Sequence, residues 1–167
     1  MRSIVILFAL AIRAIAQLPG NSPVKPVTGT FYASVDDHAT IYVNGQKTHQ
    51  ADYGAKRSAE LNLKVGDLVL IDLKNDRDAR GFLLVFRSSD DTTLINFRRA
   101  DFKIVPDLDV TDFTADQFKR WTKTAKSSPR KEMDLPFKNY SEWVWGESDK
   151  CILAAIVTSQ MVTPKPK

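Results

Sequence analysis

The chain has 167 residues, 24 Lys and Arg against 20 Asp and Glu, two histidines and a single cysteine. Its length is that of one ordinary domain, able to bury a sizeable core without staples, and a lone cysteine excludes an intrachain disulfide. A net charge of +4 is small, and its basic residues are scattered rather than gathered into one run, which argues against a nucleic-acid partner.

The first sixteen residues read as a secretory signal peptide. Arg2 gives a basic start, Ile4 to Ile12 is unbroken apolar sequence, and Ala14-Ile15-Ala16 is a small-x-small cleavage pattern before Gln17. The apolar run is far shorter than the roughly 20 residues a membrane-crossing helix needs. Removal of this segment takes away Arg2 and Arg13 and lowers the expected net charge to +2. No later stretch approaches transmembrane length, so the expected product is secreted and extracellular.

Gln17 to Thr28, with Pro19, Gly20, Pro23 and Pro26, reads as an extended leader. The domain proper is expected over residues 29–160, followed by a loose tail over 161–167. Within the domain the pattern is mostly strand-like. Thr30 to Val35 is one candidate, and Ala39 to Val43 is another that runs into Asn44-Gly45, a tight-turn signal. Ala59 to Leu63 alternates, and Lys64-Val65-Gly66-Asp67 turns the chain into Leu68 to Leu73. A charged loop, Asn75 to Arg80, precedes Gly81 to Phe86, whose continuous apolar character suits a strand covered on both faces. Leu94 to Phe97 and Phe102 to Val105 are shorter candidates. Thr114 and Gln117 fit a capping box with Phe113 and Phe118 at the staple positions, predicting a short helix. Phe118, Trp121 and Ala125 would share its apolar face, with Pro129 ending the segment. Cys151 to Thr158 closes the series as a central strand. Many short strands with little helix predict an all-β sandwich or barrel.

The stretch from Asp37 to Phe86 resembles a galactose-binding-like jelly-roll module, of the kind found as accessory domains of secreted glycosidases and as lectin-type proteins. The resemblance is carried by Ala39-Thr40-Ile41-Tyr42-Val43-Asn44-Gly45, by Leu63-Lys64-Val65-Gly66-Asp67-Leu68-Val69-Leu70, by Asn75, and by Gly81-Phe82-Leu83-Leu84. It covers about a third of the chain and implies a jelly-roll-like antiparallel β-sandwich with one short packed helix. These are turn and core residues, so the resemblance assigns no ligand residue. Several members of the family carry a structural calcium ion.

No catalytic signature appears. His38 and His49 lack partners at metal-ligand spacing, and there is no nucleophile elbow, phosphate loop or dinucleotide fingerprint. Cys151 suggests either an intermolecular bridge, giving a linked dimer, or a buried thiol, and its apolar neighbours favour the thiol. The acidic loops Asp76-Arg77-Asp78, Ser89-Asp90-Asp91 and Asp107, Asp109, Asp112 offer oxygen atoms of the kind calcium uses, yet solvated turns use the same residues and no calcium ligand set is assigned. The cations Lys119, Arg120, Lys123, Lys126, Arg130 and Lys131 read as a solvated face.

Trp143 and Trp145 stand two apart, so in a strand both indoles would face one side. Such a pair can stack on sugar rings, with Tyr140 and Glu142 beside it and the Asp76–Asp78 loop offering hydrogen bonds; a core role for one or both is the competing reading. Asn139-Tyr140-Ser141 is a glycosylation acceptor triplet in a eukaryotic source. The expected function is noncatalytic binding of an extracellular glycan. The alternative is a structural or protein-interaction component of a matrix, coat or secretion.

Overall fold

The computed structural model describes residues 25–76, 79–106, 109–110, 112–128 and 135–164. The proposed signal peptide, most of the leader, Asp78, Asp107, Arg130 and Lys131 therefore lie outside the described residues.

One long hairpin organises everything else. β1 (Val27–Val43) and β2 (Gln46–Leu63) are joined at Asn44-Gly45, both at positive φ (50° and 79°), as a two-residue turn of this hand requires. The two strands expected at 30–35 and 39–43 are a single strand that bends at Asp36-Asp37, where Asp37 takes a φ of 71°. The bend is anchored on both sides. Asp36 N–H donates to the Gly81 carbonyl (2.8 Å), and the Asp37 carboxylate accepts from Asp76 N–H (2.7 Å).

Because β1 bends, its two halves pair with different strands along the same edge. Gly29 to Val35 pairs with β4 (Phe82–Ser88), and His38 to Val43 pairs with β3 (Leu68–Lys74), both antiparallel. On the first half, β5 (Thr93–Asn96) adds to β4. On the second, β9 (Lys150–Ile156) adds to β3, and β6 (Lys103–Val105) adds to β9. The strand β10 (Val162–Pro164) pairs with β5, so the expected loose tail begins with a strand, and Met161 just before it is buried. The result is a curled, all-antiparallel sandwich with one short α-helix among the described residues, in agreement with the expected fold class.

The core fills the space between the two halves. Phe31, Val35, Ile41, Leu63, Ile71, Phe82, Leu84, Phe86, Phe97, Phe102 and Leu153 are all at 0% exposure. Phe31 meets Phe86 edge to face at 5.3 Å, and Phe97 stacks on Phe102 at 5.7 Å. The outer faces are also covered, which explains the uninterrupted apolar runs in β3, β4 and β9. Leu68, Leu70, Ile152 and Ala154 pack under Phe113 and Phe118, while Leu83, Val85 and Leu94 pack under Leu135, Phe137 and Trp143.

The helix α1 (Ala115–Arg120) starts as expected: Thr114 Oγ1 accepts from Gln117 N–H, and the Gln117 side chain accepts from Thr114 N–H. It ends nine residues before Pro129. Trp121 is its C-terminal cap and is 36% exposed, not core, and Ala125 is buried beyond the helix. Six residues give too little helix to extend the apolar face that far.

Candidate functional site

The segment 135–145 crosses the outer face of the β4 half and is pinned to it residue by residue. Tyr140 N–H donates to Asn96 Oδ1 (2.9 Å), Phe97 N–H to Ser141 Oγ (2.9 Å) and Glu142 N–H to the Phe97 carbonyl (3.1 Å). The Glu142 carboxylate accepts from Arg99 N–H (2.8 Å). Asn139 closes a local turn, accepting from Ser141 N–H (3.0 Å) and donating to the Phe137 carbonyl (3.2 Å). The segment ends in β8 (Val144–Trp145), which pairs with β4 and with β7 (Lys126–Ser127).

The structure separates the two tryptophans. Only Val144 and Trp145 are in a strand, so the alternation that would align Trp143 with Trp145 does not reach Trp143. Trp145 is 3% exposed, joins the main core with Phe82 and Leu84, and donates its indole N–H to the Ser148 carbonyl (2.9 Å). Trp143 lies on the opposite face of β4, half-buried against Leu83 and Val85. No coplanar two-indole platform forms. Trp143 reaches the sheet because Gly81 has no side chain: a Cβ there would come within 3.1 Å of the indole and 3.2 Å of Ser128 Oγ.

Trp143 instead lines a groove of about 370 Å³ with Leu83, Leu135, Phe137, Asn139 and Ser141, and Lys138 beside them. Tyr140, between Asn139 and Ser141 in sequence, is 48% exposed and is not among the residues that line the groove. Phe137 forms one wall. Its far side meets the Tyr32 ring edge to face at 4.9 Å and the Arg87 guanidinium at 5.1 Å. Tyr32 and Arg87 in turn line a second, larger groove of about 660 Å³ with Thr30, Arg57, Ser58, Glu60, Ser89 and Asp91. An aromatic ridge of Tyr32 and Phe137 thus joins two grooves along one face. Arg87 is fixed there by Asp91 (2.5 Å), and Ser89 donates to Glu60.

Tyr32 falls within the strand expected at Thr30 to Val35, whereas Arg87 lies just past the one expected at Gly81 to Phe86. Arg57 was not readable as strand, because β2 upstream of Ala59 is polar sequence without strand periodicity. Phe137 sits in an irregular segment whose position no local pattern specifies.

Asp76 belongs to a different cluster, at the β1 bend. His38 lies between two carboxylates, with Nδ1 2.8 Å from Asp52 and Nε2 3.1 Å from Asp76, and Lys74 Nζ is 2.8 Å from Asp76. The hydrogen bond to Asp52 leads in raising the His38 pKa, and the hydrogen bond from Lys74 leads in lowering that of Asp76. Ionised carboxylates only accept, so both bonds exist together only when the imidazole carries both protons.

Elsewhere, Asp90 caps its own turn through Ser88 and Thr92. Lys119 pairs with Asp116, and Lys123 and Lys126 both pair with Glu147. Among the described residues no group of three His, Cys, Asp or Glu is gathered to hold a metal ion, and no helix is long and apolar enough to cross a membrane. Cys151 is buried, and desolvation pushes its thiol up to about 11. No family model, curated protein or solved structure matches this chain.

Proposed function

We propose that the protein is a secreted, noncatalytic recognition module of galactose-binding-like type whose ligand is an extracellular glycan. The observation that carries the reading is the face built on Trp143, Phe137 and Tyr32. It offers aromatic carbon for the apolar faces of sugar rings, and Asn139, Ser141, Arg57 and Glu60 line the flanking grooves as hydroxyl partners. Of the residues first singled out, Trp143 and Tyr140 remain in this role, with Glu142 beside them. Trp145 belongs to the main core on the other face of β4, and Asp76 lies apart.

The test is a broad glycan array probed with the secreted product of the full chain, with calcium and with chelator, beside Trp143→Ala. Selective binding that is lost in a variant with unchanged circular dichroism supports the reading, and chelator sensitivity would add a calcium requirement. No binding in either condition, with folded protein, sinks it.

One observation favours a protein-interaction role instead. β2 is 18 residues long and, among the described residues, pairs only with β1, which leaves its other edge without a strand neighbour there and suited to strand addition. Concentration-dependent self-association in light scattering, abolished by a proline at an edge position such as Ala55→Pro, would support that second reading.

A further inference from the structure

We infer that the glycan this face accepts is built on uronic acids: sugars that carry a carboxylate and free hydroxyls on the same ring. The inference rests on the glycan reading above and adds the ligand's charge class.

Its basis is which charges on the face are already spent. Arg87 is held by Asp91, Phe137 and the Tyr32 hydroxyl, so its guanidinium is structural. Two cations remain. Arg57 is exposed on β2 opposite Tyr32 and lines the larger groove. Lys138 is exposed and lines the smaller one. Neither has a carboxylate partner among the described residues. They flank the Tyr32–Phe137 ridge from its two sides, so a chain lying across the ridge meets a free cation in each groove. Arg57 presents a planar fork suited to a carboxylate, and Lys138 a mobile point charge.

The acidic groups on the same face narrow the class further. Glu60, which accepts from Ser89, and Asp91, which is held by Arg87, both line the larger groove. They repel a densely sulfated chain and accept hydrogen bonds from sugar hydroxyls. A uronate meets both demands, with one carboxylate for Arg57 or Lys138 and hydroxyl donors for Glu60. A neutral sugar leaves both cations unused, and a polysulfate brings too much charge for the carboxylates.

The experiment is calorimetric titration of the secreted protein with fragments of polygalacturonate, alginate and hyaluronan. Each is compared with its methyl-esterified form and with heparin, at low and at physiological ionic strength. The expected result is that at least one acid form binds about tenfold tighter than its ester, as one charge-assisted contact allows. That advantage should shrink with salt. Arg57→Ala and Lys138→Ala should shrink the ratio of acid to ester affinity toward one, and Trp143→Ala should weaken both forms without changing that ratio.

Equal binding of acid and ester overturns the uronate assignment and leaves the glycan reading standing. Heparin binding tighter than every unsulfated uronate overturns it in favour of unspecific polyanion attraction. An acid preference that survives both cation substitutions overturns the role given to Arg57 and Lys138. No binding of any of these probes or of any neutral glycan on the array removes the glycan reading as well.

Discussion

Asp67 shows how much a single buried acid organises at one end of the sandwich. Its carboxylate accepts from Asn44 Nδ2 (3.0 Å) and Lys64 N–H (2.9 Å), its own carbonyl accepts from Val157 N–H, and Asn44 Oδ1 accepts from Leu68 N–H. Asp67→Ala strands two donors, and urea unfolding should show a loss of about 2–3 kcal/mol. His38 gives a dependence on pH. Its folded pKa is raised, chiefly by the hydrogen bond to Asp52, so its contribution is fully present below the unfolded value near 6.5 and fades as pH rises through the folded value. The partners set the lower bound: Asp52 and Asp76 are lowered, so the cluster weakens again in acid as they protonate. Relative to His38→Gln, the wild type should therefore lose stability as pH rises past about 6.5; parallel curves for the two proteins would remove the cluster from the account. Cys151 should resist thiol reagents at pH 8 in the native state and react at once in denaturant, because its burial holds the thiol protonated.

At the scale of elements, the sequence was legible wherever local chemistry alone decides the structure. Asn44-Gly45 fixed the hairpin tip, and Thr114 with Gln117 fixed the helix start to the residue; Thr114→Ala should cost about 1 kcal/mol in the same unfolding measurement. Apolar runs marked β3, β4 and β9 because both faces of each are covered. The rest depended on partners far away in sequence. Residues 46–58 (QKTHQADYGAKRS) carry no alternation, yet they are strand because β1 offers a complete ladder, with register shifts that absorb the mismatch. The continuity of β1 through Asp36-Asp37-His38 was hidden for a related reason: two buried acids interrupt the pattern and are held by the Gly81 carbonyl and the Asp76 amide. Of the candidate site, Trp143 and Tyr140 were visible as exposed-type aromatics. Their partners Phe137, Tyr32 and Arg57 come together only when segment 135–143 is laid over the β4 face, which no spacing reveals.

The whole molecule is one cooperative unit, because β1 belongs to both halves. Without it β3 and β4 each lose a strand neighbour and the two halves lose their shared strand, so unfolding followed by tryptophan fluorescence and by far-ultraviolet circular dichroism should give coincident single transitions. The placement of β9 has a further consequence, for synthesis rather than stability. A strand made from residues 150–156 lies between β3 and β6, in the middle of its layer. Until it emerges, Leu68 to Leu73 presents an open apolar edge, the kind that recruits other chains. The layer therefore stays incomplete until residues 150–156 have been made, and a truncation after Asp149 should be insoluble. Before that strand arrives, the β3 edge is a place where a second copy of the chain can add in its stead.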